Sequence, residues 1–232
     1  MAPQAPQAIL FDLDGTLVDT APDLAQATNA LRHHHGLAPL PFKVIRGQVS
    51  NGGSALVTLA LGLEVSSDEH TQARQFLLDA YEQAVAVHSR VFSPLDVWLK
   101  GWHGDQRPWG IVTNKPRRYT LPLLEALALQ PGALLCADDL SVKKPAPEPL
   151  WEAARRLGVA PERCWYIGDH VRDMQAAVAA GMTAVAVGYG YISEEDNFQQ
   201  WPADLWFEEC QSLVDALGAF SQTKQGQVKQ GI

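Results

Sequence analysis

Apolar residues follow two rhythms along this chain. Ala8-Ile9-Leu10, Trp109-Gly110-Ile111-Val112, Gly132-Ala133-Leu134-Leu135-Cys136, Cys164-Trp165-Tyr166-Ile167 and Thr183-Ala184-Val185-Ala186-Val187 are short apolar runs without polar alternation. That pattern predicts strands buried on both faces of a parallel sheet. Asp204-Leu205-Trp206-Phe207 predicts a sixth strand ahead of a last helix near 211–220. Between the runs the spacing lengthens to three and four residues. It predicts helices over 116–129, interrupted by Pro122, over 147–157 with Gly158 as its stop, and over 172–180 stopped by Gly181. Strands alternating with helices predict an α/β fold with a parallel sheet.

The stretch 20–87 breaks this alternation. Pro22 suits a first helical position, and Leu24, Ala27, Thr28 and Leu31 recur at helical spacing. Further helical pattern covers 54–61 and 68–87, the latter with Asp68 as its cap and Phe76, Leu77, Ala80, Tyr81 and Ala84 as its apolar stripe. No useful length alternates with period two. The expected organisation is a core of residues 1–19 and 91–220, a small all-helical domain at 20–90 inserted after strand 1, and a polar tail at 221–232 that is disordered. Hinges are expected near 19–21 and 90–94.

Composition narrows the class. With 232 residues, 47% of them hydrophobic, the chain buries a sizeable core. A formal net charge of −8 argues against nucleic acid or an anionic membrane as partner. Cys136, Cys164 and Cys210 are too few and too scattered for a disulfide framework and read as buried small hydrophobes. Residues 1–7 lack a signal-peptide pattern, and no run approaches the ~18 apolar residues of a membrane span. The expectation is a cytoplasmic enzyme, monomer or homodimer, acting on a small molecule.

Chemistry gathers where the strands end. Phe11-Asp12-Leu13-Asp14-Gly15-Thr16 closes the first run and sets two carboxylates side by side at a strand's carboxyl end, where open α/β sheets place their ligand crevice. Two acids held together repel each other, and a cation is the simplest relief. Asp-Gly alone is an ordinary turn pair, but polar clusters at Thr113-Asn114-Lys115-Pro116, Lys143-Lys144-Pro145 and Gly168-Asp169-His170-Val171-Arg172-Asp173 follow other runs. Thr113 and Asn114 before Lys115-Pro116 read either as a simple helix cap or as a hydroxyl and backbone N–H groups that can cradle phosphate oxygens at a helix start.

In this order, the four clusters resemble the motifs of the haloacid dehalogenase-like phosphohydrolases, and the similarity extends over roughly 8–220. It is nearest to the phosphoglycolate phosphatase-like group. The resemblance implies a Rossmann-like core with a helical cap that closes over the site. It implies a Mg²⁺-dependent phosphatase working through an aspartyl phosphate, with Asp12 as nucleophile and Asp14 as general acid and base. Lys144 would pair with phosphate and nucleophile. Asp12 and Asp169 would hold the metal by side-chain oxygens and Asp14 by its backbone carbonyl, with Asp173 a direct ligand or one place removed and holding Lys144. Relatives that cleave carbon–halogen bonds lack the second acid, so Asp14 favours phosphoryl chemistry. Lys143 matches nothing and is expected in solvent. His170 is not expected to bind metal, because imidazole among carboxylates suits softer ions.

Within the insert, Arg46 to Gly53 resembles the substrate-facing loop of this group, which implicates Arg46, Asn51 and Gly52 in substrate binding; a positive charge at Arg46 suits a substrate carboxylate. Gly188-Tyr189-Gly190-Tyr191-Ile192, Asp196-Asn197, Trp201 and Ala203-Asp204 are similar to the tail of N-acetylmuramic acid 6-phosphate phosphatases. Both candidate substrates carry a carboxylate, and the sequence leaves the choice open. A sugar phosphomutase would need a separate cap base, which is not evident. A silent scaffold would not require the second acid.

Overall fold

The computed structural model describes residues 4–193 and 196–226. β1 (Ala8–Phe11) leads through β2 (Val18–Asp19) into four helices: α1 (Ala21–His34), α2 (Phe42–Arg46), α3 (Gly52–Leu61) and α4 (Asp68–Gln83). β3 (Arg90–Val91) returns the chain to α5 (Leu95–Gly104), β4 (Trp109–Val112), α6 (Arg117–Ala126), β5 (Ala133–Leu135) and α7 (Glu148–Leu157). β6 (Cys164–Gly168), α8 (Val171–Ala180), β7 (Thr183–Val187), β8 (Leu205–Phe207) and α9 (Cys210–Gly226) complete the order.

The six strands β5-β4-β1-β6-β7-β8 form one parallel sheet, as the apolar runs predict. Strand side chains divide with period two. Ile9, Phe11, Trp165 and Ile167 join a core with Leu95, Leu99 and Trp102 of α5 and Leu213 and Leu217 of α9. Ala8, Leu10, Cys164 and Tyr166 join the opposite core with Leu150 and Ala153 of α7 and Met174 and Ala177 of α8. From β1 the chain crosses to β4 and β5 on one side and later returns to β6, β7 and β8 on the other. That reversal opens a crevice beside the carboxyl end of β1, which is where Asp12 stands.

The helical insert has its own apolar centre, containing Leu24, Leu31, Ile45, Leu56, Leu77 and Tyr81 with Tyr119 and Tyr191 from elsewhere in the chain. Three details depart from expectation. Ser67, not Asp68, caps α4, accepting from His70 N at 3.1 Å; Ser67 has the extended backbone a cap needs. α5 and the small β2–β3 ladder were not foreseen. α9 continues to Gly226, into the stretch expected to be a disordered tail, whose last residues, 227–232, lie outside the described ones. No helix among the described residues is long and apolar enough to cross a membrane.

Candidate active site

Asp12 follows β1 directly, and its backbone N–H bonds Ile167 O at 2.8 Å, so sheet geometry fixes where its side chain begins. Leu13 N donates to Asp12 Oδ1 at 2.7 Å. Gly15 then turns the chain at φ +85°; a Cβ there would lie 2.2 Å from Asp169 Oδ2, so no other residue leaves that carboxylate in place.

Lys144 is the hub. Its ammonium lies 2.9 Å from Asp12 Oδ1 and 2.7 Å from Asp173 Oδ1, and donates to Tyr166 OH at 2.7 Å. Tyr166 OH passes its own proton to Val112 O at 2.8 Å. Burial works against the Lys144 charge, yet Asp12 and Asp173 hold its pKa above the ordinary lysine value. Asn114 fixes this lysine from behind: its carboxamide donates to Lys144 O at 2.9 Å and accepts from Lys144 N at 3.1 Å. Asn114 was expected to reach substrate through its backbone N–H; it does line the cavity, but its side chain serves the lysine. The Thr113 hydroxyl accepts from Lys115 N at 3.1 Å, which leaves its own proton available to an oxygen in the cavity.

Asp169 is buried, accepting from Thr16 Oγ1 at 2.9 Å and from Tyr191 N at 2.8 Å. Its pKa is pushed up to about 7, first by burial and then by Asp12 and Asp173, against the two donors. Asp12 is raised for the same first reason, with Lys144 opposing and Asp173 and Asp14 adding.

Asp12, Asp169 and Asp173 offer ligand oxygens within 4.8 Å of one another, and Asp173 Oδ2 is buried without a hydrogen-bond partner. Against these three carboxylates stands the one ammonium of Lys144, so two formal negative charges remain unmatched. An all-oxygen donor set with that deficit fits a hard divalent cation such as Mg²⁺. His170 is engaged otherwise: its Nδ1 accepts from Arg172 N at 3.2 Å, and its pKa is lowered to about 4 by burial and then by Arg172.

Asp14 binds through a single oxygen. Thr20 Oγ1 donates to its Oδ1 at 2.5 Å and Lys115 Nζ at 2.8 Å. Lys115 was not singled out from the sequence, where it reads as one more charge before a proline. Its ammonium also sits 4.6 Å from the Tyr81 ring centroid, which ties β4's loop to α4.

A cavity of about 350 Å³ opens above Asp12 and Asp14. Thr113, Asn114 and Lys115 line it from the core, and Asn51 and Gly52 from the insert; Lys143 borders it too and is exposed to solvent, as expected. Arg46 does not line it. Its guanidinium donates to Gly190 O at 2.7 Å and Tyr189 O at 2.9 Å and lies 4.9 Å from the Tyr191 ring centroid. The expected carboxylate reader is therefore a clamp between insert and core, because two backbone carbonyls within reach satisfy it. Tyr191, also unforeseen as part of the site, accepts from Thr20 N at 2.5 Å and Ala21 N at 2.8 Å and donates to Asp19 Oδ1 at 2.8 Å.

Comparison with known proteins agrees with this geometry. Residues 9–187 match the family model described as haloacid dehalogenase-like hydrolase. The chain is 41% identical over 213 residues to an N-acetylmuramic acid 6-phosphate phosphatase of Pseudomonas aeruginosa, covering 91% of this chain and 94% of that one. It is 39% identical over 207 residues to a phosphoglycolate phosphatase of Xylella fastidiosa, covering 88% and 90%. The crystal structure of a predicted phosphoglycolate phosphatase from Haemophilus somnus 129pt superposes with a TM-score of 0.80 at 25% identity, covering 92% of this chain and 98% of that one. With its four motif clusters converging beside β1 in a fold these proteins share, the chain belongs to the haloacid dehalogenase-like hydrolases.

Proposed function

We propose that this phosphoric monoester hydrolase acts on a small carboxylated phosphomonoester, with Mg²⁺ held by Asp12, Asp169 and Asp173 and by the backbone carbonyl of Asp14. The observation that carries this reading is the pairing of two carboxylates at one cavity floor, each held by its own ammonium: Asp12 by Lys144 and Asp14 by Lys115. Asp12 is the nucleophile. Its carboxylate oxygen forms a bond to phosphorus as the phosphorus–alcohol bond breaks, and Asp14 gives the departing oxygen its proton. Asp14 then takes a proton from the water that attacks the aspartyl phosphate, releasing inorganic phosphate and restoring Asp12. The Thr113 hydroxyl and the Lys144 ammonium neutralise phosphoryl oxygens while this happens. When bound, Mg²⁺ supplies further positive charge to those oxygens. The helical insert serves as a cap that keeps water from the site and reads the rest of the substrate.

Between the two substrates named for the relatives, cavity size favours the larger. About 350 Å³ falls in the range of roughly 300–1,000 Å³ that encloses drug-sized ligands. A two-carbon phosphoglycolate would leave most of it empty, whereas a phosphorylated amino sugar bearing a lactyl group fills it. Leu24, Val49, Leu56, Leu78 and Tyr119 give such a substrate an apolar wall.

Phosphate release with Mg²⁺ and with EDTA, from 2-phosphoglycolate, N-acetylmuramic acid 6-phosphate, glucose 6-phosphate and β-glucose 1-phosphate, tests this. The expected result is metal-dependent turnover with the highest kcat/KM on N-acetylmuramic acid 6-phosphate. A higher kcat/KM on 2-phosphoglycolate would overturn the substrate choice, and turnover undiminished by EDTA would overturn the metal.

A further inference from the structure

Four cations line the cavity: Arg74, Lys115, Lys143 and Arg172. Two have partners. Lys115 is bound to Asp14, and the Arg172 guanidinium donates to Ser50 O. The side chains of Arg74 and Lys143 hold no ion pair or hydrogen bond among the described residues. Their positions differ in kind. Lys143 stands in the core, in the loop between β5 and α7 next to Lys144, whose ammonium is on Asp12. Arg74 projects from α4, the helix that also supplies Leu78 and Tyr81 to the apolar wall. Its Nε lies 3.8 Å from where a Cβ on Gly53 would stand, which places the guanidinium along the loop that carries Asn51 and Gly52.

We infer that Arg74 is the residue that selects a carboxylate on the substrate, a role that rests on the carboxylated-phosphomonoester reading above. A substrate whose phosphate lies over Asp12 and whose carbon skeleton lies on the apolar wall brings a distal carboxylate to α4. A guanidinium binds a carboxylate through two parallel hydrogen bonds and does not lose its charge on partial burial. An anion entering the cavity meets no competitor for Arg74, since no acid among the described residues is paired with it. Arg46, the other arginine of the insert that borders this region, is held by two backbone carbonyls and is not free to turn inward.

The test uses a matched pair, N-acetylmuramic acid 6-phosphate and N-acetylglucosamine 6-phosphate, which differ only in the lactyl group carrying the carboxylate. Wild-type protein is expected to favour the first. Arg74→Gln should raise KM for it about 10- to 100-fold, the scale of losing a charged hydrogen-bonded pair, with kcat and the values for the neutral sugar little changed. Arg74→Lys should recover part of the loss. Wild-type preference retained in Arg74→Gln overturns the assignment of Arg74 and leaves the substrate class standing. No wild-type preference, or no release from either compound, overturns N-acetylmuramic acid 6-phosphate as the substrate and, with its distal carboxylate, the role of Arg74. Thermal unfolding of Arg74→Gln at the wild-type temperature excludes a folding defect as the cause.

Discussion

Lys115 Nζ stands 2.8 Å from Asp14 Oδ1, two residues 101 positions apart in sequence, and with Thr20 Oγ1 it fastens that oxygen alone. The second oxygen of Asp14 receives no donor among the described residues, so the carboxyl is aimed at the cavity by one atom and free to carry a proton on the other. Lys115→Met should lower kcat on alkyl phosphates by roughly 10- to 100-fold, part of the 10²–10⁴ that general acid catalysis contributes. p-Nitrophenyl phosphate, whose leaving group departs without a proton, should lose far less. Equal losses on both would show that Lys115 does not act through Asp14.

Asp12→Asn removes the oxyanion proposed to attack phosphorus while nearly keeping the shape of the side chain. Turnover should fall to background with the melting temperature little changed, as read by phosphate release beside circular dichroism. Detectable steady turnover would remove Asp12 as nucleophile. Lys144→Met has the opposite signature: buried Asp12 and Asp173 lose their common counterion, a loss of about 3–5 kcal/mol for a buried pair deprived of one partner. Denaturant titration should register it, and Mg²⁺ should restore part of it.

Gly190 packs against Asp169, one of the acids proposed to hold the metal. A Cβ there would lie 2.2 Å from Asp169 Cβ and 2.4 Å from Asp169 Oδ2, closer than atoms approach. Gly190→Ala should displace Asp169 and weaken Mg²⁺ binding at least tenfold in calorimetry, whereas Gly218→Ala, with nothing within 4 Å, should not. Unchanged Mg²⁺ affinity in Gly190→Ala would argue against Asp169 as a ligand.

Asp139 provides a pH-dependent contribution to stability away from the site. Arg117 Nε donates to its Oδ1 at 2.7 Å, and this bond, aided by Cys136 N, holds its carboxyl below the ordinary carboxylate range. A depressed native pKa stabilises above the unfolded value of about 4 and is lost as pH falls through the native one. The melting-temperature gap between wild type and Asp139→Asn should therefore be full at pH 6 and narrow steadily towards pH 3. A gap independent of pH would deny the ion pair any part in stability.

The residues that sequence made legible are those whose surroundings are local. A strand buried on both faces writes itself as an unbroken apolar run, and the five such runs are strands of the sheet; β8, read as a sixth strand, lies at its edge with its residues partly exposed. Asp12, Asp14 and Asp169 each stand at or just beyond a strand end, where a run stops and a polar residue follows; Lys144 lies in the loop between β5 and α7, and Asp173 in the first turn of α8. What stayed hidden depends on partners far along the chain. Arg46 is charged in sequence, but only the fold shows that Tyr189 and Gly190, more than 140 residues later, take up its donors. Lys115, Tyr191 and Arg74 are the same case. α5 escaped notice because glycines at 101 and 104 and three prolines at 94, 108 and 116 break the pattern around it.

The shortest ladder in the molecule has a consequence for how such enzymes diversify. β2 and β3 pair Val18 with Val91 and Asp19 with Arg90, so the chain leaves the sheet and re-enters it at neighbouring points. To the sheet, everything between them is equivalent to a hairpin loop, whatever its length. A lineage can therefore exchange the whole helical segment as a cassette and acquire a new substrate, while the acids beside β1 and β6 keep the backbone they already had.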